Sequence, residues 1–105
     1  MDEQTYESLA YPELKALVSA LDALELEGLE AELASDILTM EFEDGTRYVV
    51  NSHRAARQIW MAAERSAWHF DWQPAERHWV ATKTGDELWS TLARLIGSKL
   101  GREIA

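Results

Sequence analysis

Carboxylates are the residues of this chain best supplied for chemistry, and they are unevenly placed. Thirteen of the nineteen Asp and Glu residues lie between Met1 and Gly45, where Lys15 is the only base. That stretch therefore carries −12, and Thr46 to Ala105 carries +3. Interspersed charge is the norm for a folded domain, because a one-sided field opposes compaction through self-repulsion. Carboxylate oxygens are hard ligands, suited to Ca²⁺, Mg²⁺, Mn²⁺ or Fe²⁺. Asp22, Glu25, Glu27, Glu30 and Glu32 follow one another closely but match neither an EF-hand loop nor a His-x-x-Glu pattern. Their spacing predicts a shallow, hydrated cation site, or attraction to a basic protein surface. The imidazoles are His53, His69 and His78, and only His69 has a carboxylate at i+2, Asp71. Without a serine elbow, a glycine-rich phosphate loop or zinc-ligand spacing, that pair does not make a case for an enzyme.

The composition narrows the field further. The chain has 105 residues, 47% of them apolar, and no cysteine. One domain spanning 1–105 is expected, large enough to fold without a metal or disulfide. Lack of thiols excludes a thiolate-held iron–sulfur cluster, a zinc–cysteine site and a cysteine nucleophile. A net charge of −9 opposes binding to a phosphate backbone, so nucleic acid is not an expected partner. No apolar run is long enough to span a membrane, and Met1-Asp2-Glu3-Gln4 does not open a secretory signal or transit peptide. A cytoplasmic protein is expected.

These groups must be positioned by an α+β framework. Leu14, Leu17, Val18, Leu21 and Leu24 form a helical stripe that Tyr6, Leu9 and Ala10 extend backwards. Pro12 either kinks that helix or restarts it, and Gly28 is the expected stop. Apolar–acidic alternation predicts strands at Leu29–Leu33 and Leu38–Glu43, and Asp44-Gly45 predicts a hairpin into Tyr48–Asn51. Further strands are expected at Arg57–Ala62, Ala67–Trp72 and His78–Thr82. A closing helix buries Leu88, Leu92, Leu95, Ile96 and Leu100, started by a Thr84/Glu87 capping box and stopped at Gly101. The fold expected is a two-layer α–β sandwich, with two helices packed on one face of an antiparallel sheet.

Strand parity then distributes the side chains. Glu30 and Glu32 point outward, as do Glu41 and Glu43, and a turn at Ser35-Asp36 sets Glu30 opposite Glu41. Asn51, Gln58, Trp60 and His69 fall on the sheet face away from the helices. A Trp among polar groups on an uncovered face has the character of a contact residue.

At these residues the chain resembles the frataxin family, and most closely its bacterial branch, the CyaY proteins. The resemblance runs through the acidic first helix and strand, Leu38-Thr39 to Glu43-Asp44-Gly45, and Asn51. It continues through Gln58-Ile59-Trp60, His69-Phe70-Asp71-Trp72, Trp79 and Gly85 to Trp89. It implies a non-enzymatic protein that binds iron (Fe²⁺/Fe³⁺) weakly on an acidic ridge and is a monomer without metal. It also implies that the ridge docks on the cysteine desulfurase of iron–sulfur cluster assembly and regulates that pathway. A purely protein-binding acidic adaptor is the alternative. The ridge carries over onto Glu3, Glu7, Asp22, Glu25, Glu27, Glu30 and Glu32, and partner contacts onto Asp22, Glu25, Glu27, Glu30, Asn51, Gln58, Trp60 and His69. His69 stands where eukaryotic members carry arginine. Val18, Ser19 and Ala23 occupy helix positions that are often acidic in bacterial members.

Overall fold

A computed structural model describes residues 1–104. Among the described residues the chain forms helix α1 (Glu3–Leu24), strands β1 (Leu29–Ala34), β2 (Ile37–Phe42), β3 (Arg47–His53), β4 (Gln58–Ala63), β5 (Ser66–Gln73), β6 (His78–Ala81) and β7 (Asp86–Glu87), and helix α2 (Leu88–Leu100). The strands make one antiparallel meander in sequence order, β1 to β7. Both helices pack on one side of it, α1 over β1 to β3 and α2 over β6 and β7. The α–β sandwich read from the sequence is the fold observed.

Helix α1 forms because Tyr6, Ala10, Leu14, Leu17 and Leu21 recur at three- and four-residue intervals and are all buried. Asp2 caps its start, accepting from the Thr5 amide at 2.7 Å. The helix runs unbroken through Pro12, which forgoes one backbone bond, so the proline neither ends nor restarts it. Its end differs from expectation. The helix stops at Leu24, not Gly28, and Glu25 takes the left-handed cap position at φ 48°.

Three other boundaries moved for local reasons. Arg57 lies outside the strand predicted for it, in the left-handed region (φ 56°), where it closes a 3₁₀ turn at Arg54–Ala56. The turn between β2 and β3 holds four residues, Glu43 to Thr46, with Gly45 at φ 87°, and it sets Glu41 opposite Arg47. Thr84 does not cap α2. It hydrogen-bonds Asp86 at 2.9 Å, and Glu87 caps the helix alone, accepting from the Trp89 and Ser90 amides at 2.8 and 3.0 Å.

The core lies between the layers. Trp79 is fully buried and meets Tyr6 edge-on at 6.1 Å and Trp72 at 5.5 Å. The Tyr6 hydroxyl donates to the Gln58 carbonyl at 2.6 Å, fastening α1 to the start of β4. The buried Tyr48 donates to Glu64 at 2.7 Å. Burial, followed by the Glu64 carboxylate, pushes the Tyr48 phenol well above its usual range, and burial raises Tyr6 as well. A raised phenol pKa stabilises the fold below the unfolded-state value and loses that contribution as pH rises. The fold should therefore weaken above about pH 10, where an unfolded tyrosine ionises. Tyr48→Phe should flatten that alkaline limb, with Tyr6 and the Asp44-bonded Lys99, whose pKa is also raised, responsible for what remains. Urea denaturation across pH 8–11 tests this, and an unchanged alkaline slope in the variant would refute it.

Candidate acidic ridge and open sheet face

The charge imbalance of the sequence does not survive folding intact. Arg54, fifty residues distant from α1's first turn in sequence, reaches Glu7 at 3.0 Å and Glu3 at 3.6 Å. Arg47 pairs with Glu41 at 3.1 Å, and Lys99 of α2 pairs with Asp44 at 2.7 Å. The Lys99 hydrogen bond, followed by those from Thr46, holds the Asp44 carboxyl well below the usual carboxylate range. Asp2 caps α1, Glu13 accepts from the Trp89 indole, and Asp36 accepts from Ser52 at 2.8 Å.

What is left is a shorter and sharper feature. Among the described residues, Asp22, Glu25, Glu27, Glu30, Glu32 and Glu43 have neither a basic partner nor a side-chain hydrogen bond within the chain. Five of them line adjoining hollows, and Glu27 lies between Glu25 and Glu30 in the sequence. Asp22 and Glu25 border one hollow with Leu29, and Asp22, Glu30 and Glu32 line a shallow groove over β1 and β2. Glu30 and Glu43 flank a third hollow at Gly28. All six are exposed. The register sets Glu30 opposite Glu41, as parity predicted, and Arg47 relieves Glu41 but not Glu30.

Glu3 and Glu7 stand apart from this group. By helix rise Glu3 is about 28 Å from Asp22, and the two glutamates share the single positive charge of Arg54. The structure thus brings together five of the seven ridge residues, adds Glu43, and separates the other two. Glu43 was legible in the strand alternation, whereas Arg54 pairing needs a contact across the fold that no local pattern shows.

Two features say what the ridge can hold. Its donors are all hard carboxylate oxygens, which suit iron or another hard cation. Among the described residues, no three Asp, Glu or His side chains converge to enclose an ion. The group fits a hydrated cation bound from outside, and it fits a basic protein surface equally. Glu25 is conspicuous. It combines a left-handed backbone with an anion at a helix C-terminus whose last turn has no basic residue. A non-glycine residue in that region costs roughly 1–2 kcal/mol, and an anion at that end roughly 0.3–1 kcal/mol more.

The open face of the sheet reads in rows. Ile37, Asn51, Trp60 and His69 pair across four strands, and His53, Gln58, Asp71 and Val80 form the next row. All four predicted contact residues lie on the face away from the helices. Ile37 adds an apolar neighbour, 45% exposed. Trp60 is less free than parity suggested. Its indole is stacked between His53 (3.7 Å between centroids) and His69 (4.2 Å), and its N–H donates to Gln58 at 2.8 Å. Gln58 in turn donates to Asp71 at 3.1 Å. The sequence offered no sign that His53 belonged to this site, because the 3₁₀ turn at its end folds the ring over Trp60.

Comparison with known proteins agrees with this architecture. The profile of the Frataxin-like domain matches residues 1–102. The iron–sulfur cluster assembly protein CyaY of Thioalkalivibrio sulfidiphilus is 34% identical over 102 residues, covering 97% of this chain and 89% of that protein. The protein of the same name from Dechloromonas aromatica is 34% identical over 105 residues, covering 99% and 97%. Among solved structures, frataxin from Psychromonas ingrahamii superposes with a TM-score of 0.89 at 20% identity, covering 99% of this chain and 96% of that one. Yeast frataxin gives 0.74 at 25% identity, covering 93% and 82%. With the profile matched along nearly its whole length and these relatives above 30% identity, the chain belongs to the frataxin family, on its bacterial CyaY branch.

Proposed function

We propose that this chain is a non-enzymatic protein of iron–sulfur cluster assembly that docks its acidic ridge on a basic patch of the cysteine desulfurase. The observation that carries this reading is the sorting of its charges. Folding supplies Arg54, Arg47 and Lys99 to other carboxylates and leaves Asp22, Glu25, Glu27, Glu30, Glu32 and Glu43 as one unneutralised surface. Such a surface costs stability through self-repulsion, and a complementary partner recovers that cost on binding. Long-range attraction also raises the rate of encounter, and salt screens it over about 10 Å. The names of its relatives, each an iron–sulfur cluster assembly protein, support the same pathway.

Iron is the second ligand of the same surface. Carboxylates that no protein cation pairs attract Fe²⁺ or Fe³⁺, and the lack of a convergent triad among the described residues, with Arg47 bordering the groove of Glu30 and Glu32, supports weak, hydrated binding. The open face with Asn51, Gln58, Trp60 and His69 supplies further partner contacts. The protein acts in the cytoplasm and as a monomer when metal is absent; no described helix is long and apolar enough to cross a membrane.

A purely protein-binding adaptor is the competing reading, favoured by the same lack of convergence. Ferrous-iron titration followed by NMR separates the two. Line broadening confined to residues around Asp22–Glu32 and Glu43 is expected. Broadening centred on Glu3 and Glu7, or none, would contradict the iron site described.

A further inference from the structure

The open face carries a device that its role as a contact surface does not require. Trp60 is held on three sides. His53 lies on one face of the indole at 14° from parallel, His69 on the other at 13°, and Gln58 takes the indole N–H. Gln58 is itself held by Asp71, which also receives a long hydrogen bond from Thr82 at 3.5 Å. The ring can therefore present only its edge to a partner.

Both covering groups are imidazoles, the side chains that gain a charge between about pH 8 and 5. Neutral imidazole and indole stack as two aromatic rings, whereas imidazolium above an indole face is a cation–π pair. His53 Nδ1 also accepts the Ala56 amide at 3.3 Å, closing the 3₁₀ turn that places the ring. A proton on Nδ1 removes that acceptor. Other charged groups around the stack are few. They are Asp71 on β5, and Arg54 and Arg57 in the turn after His53, with Arg54 held by Glu3 and Glu7. His78 lies towards β6 with its own partner, Glu76.

We propose that this stack is a proton-responsive clamp, in which protonating His53 or His69 changes both the charge of the open face and the grip on Trp60. The two imidazoles share one ring as their stacking partner. The inference deepens the docking role of the open face, but its test does not need the partner.

The experiment is an NMR pH titration of the free protein from pH 8 to 5, following the Trp60 indole N–H and the imidazole C–H signals. The Trp60 signal should move together with both His53 and His69. In H53F/H69F, which keeps aromatic rings on both faces but has no proton to gain, it should stay still. A Trp60 signal that is flat in the wild type, or that moves equally in the variant, would overturn the clamp. Should the variant fold poorly, the wild-type titration decides alone, because His53 and His69 titrating without any response at Trp60 is equally fatal. Binding of the desulfurase at pH 8 and 6 then shows whether the device reaches the partner. A wild-type difference that H53F/H69F lacks supports that step, and an equal difference in both proteins excludes it. No binding at either pH would count against the docking role and leave the titration result standing.

Discussion

Changing Glu25, Glu27 and Glu30 together to Lys is expected to abolish desulfurase binding while leaving the fold intact. The three side chains are exposed and make no ion pair or side-chain hydrogen bond within the chain, so no native contact is lost. Glu30 also faces Glu41 across the sheet, and a lysine there would relieve a repulsion. On the binding side, the change sets three cations where a basic patch must approach. Like charges forced together at an interface cost several kcal/mol, which is at least about a hundredfold in affinity. Unchanged far-ultraviolet circular dichroism with loss of capture in a pull-down is the expected pair of results. Retained capture would move the docking role to the open face and Trp60.

Glu25→Gly should make the protein more stable and a poorer binder at once. Glycine takes the left-handed cap at no steric cost and removes the anion from the helix C-terminus. Against that gain stands the greater freedom of glycine in the unfolded chain, about 0.4–1 kcal/mol. The balance is a stabilisation of about 1 kcal/mol, or roughly 4–8 °C in Tm for a domain of this size. Glu25→Gln separates the two components, since it removes the charge and keeps the backbone strain. It should recover less stability than glycine and lose as much binding. A glycine variant no more stable than the wild type would show that the cap conformation is not strained. Strained residues persist where something other than stability keeps them, and Glu25 sits in the middle of the ridge.

Much of the fold was legible because its signals are local. The stripe Tyr6–Leu21 and the alternation in β1 and β2 carry their own periods, and the Ser35-Asp36 turn fixed the Glu30–Glu41 register. Boundaries were less legible where a side chain chose between two roles. Thr84 turned to Asp86 and left Glu87 to cap α2, and Glu25 took a conformation that Gly28 was better suited to adopt. The ridge itself was visible as charge, but its extent was not. Arg54 and Lys99 reach their carboxylates from elsewhere in the sequence, so only the fold shows that Glu3 and Glu7 share one cation, that Asp44 has its own, and that Asp22–Glu32 with Glu43 has none. The open face behaved similarly. Parity placed Asn51, Gln58, Trp60 and His69 together, and the 3₁₀ turn then added His53.

The most direct test of the ridge as a docking surface is a calorimetric titration of this protein into its cognate cysteine desulfurase, at low and at physiological salt, with and without ferrous iron. Saturable binding at low salt is predicted, weakening steeply as salt rises and lost in the Glu25/Glu27/Glu30→Lys variant. Affinity that ignores salt and is equal in wild type and variant would contradict the account.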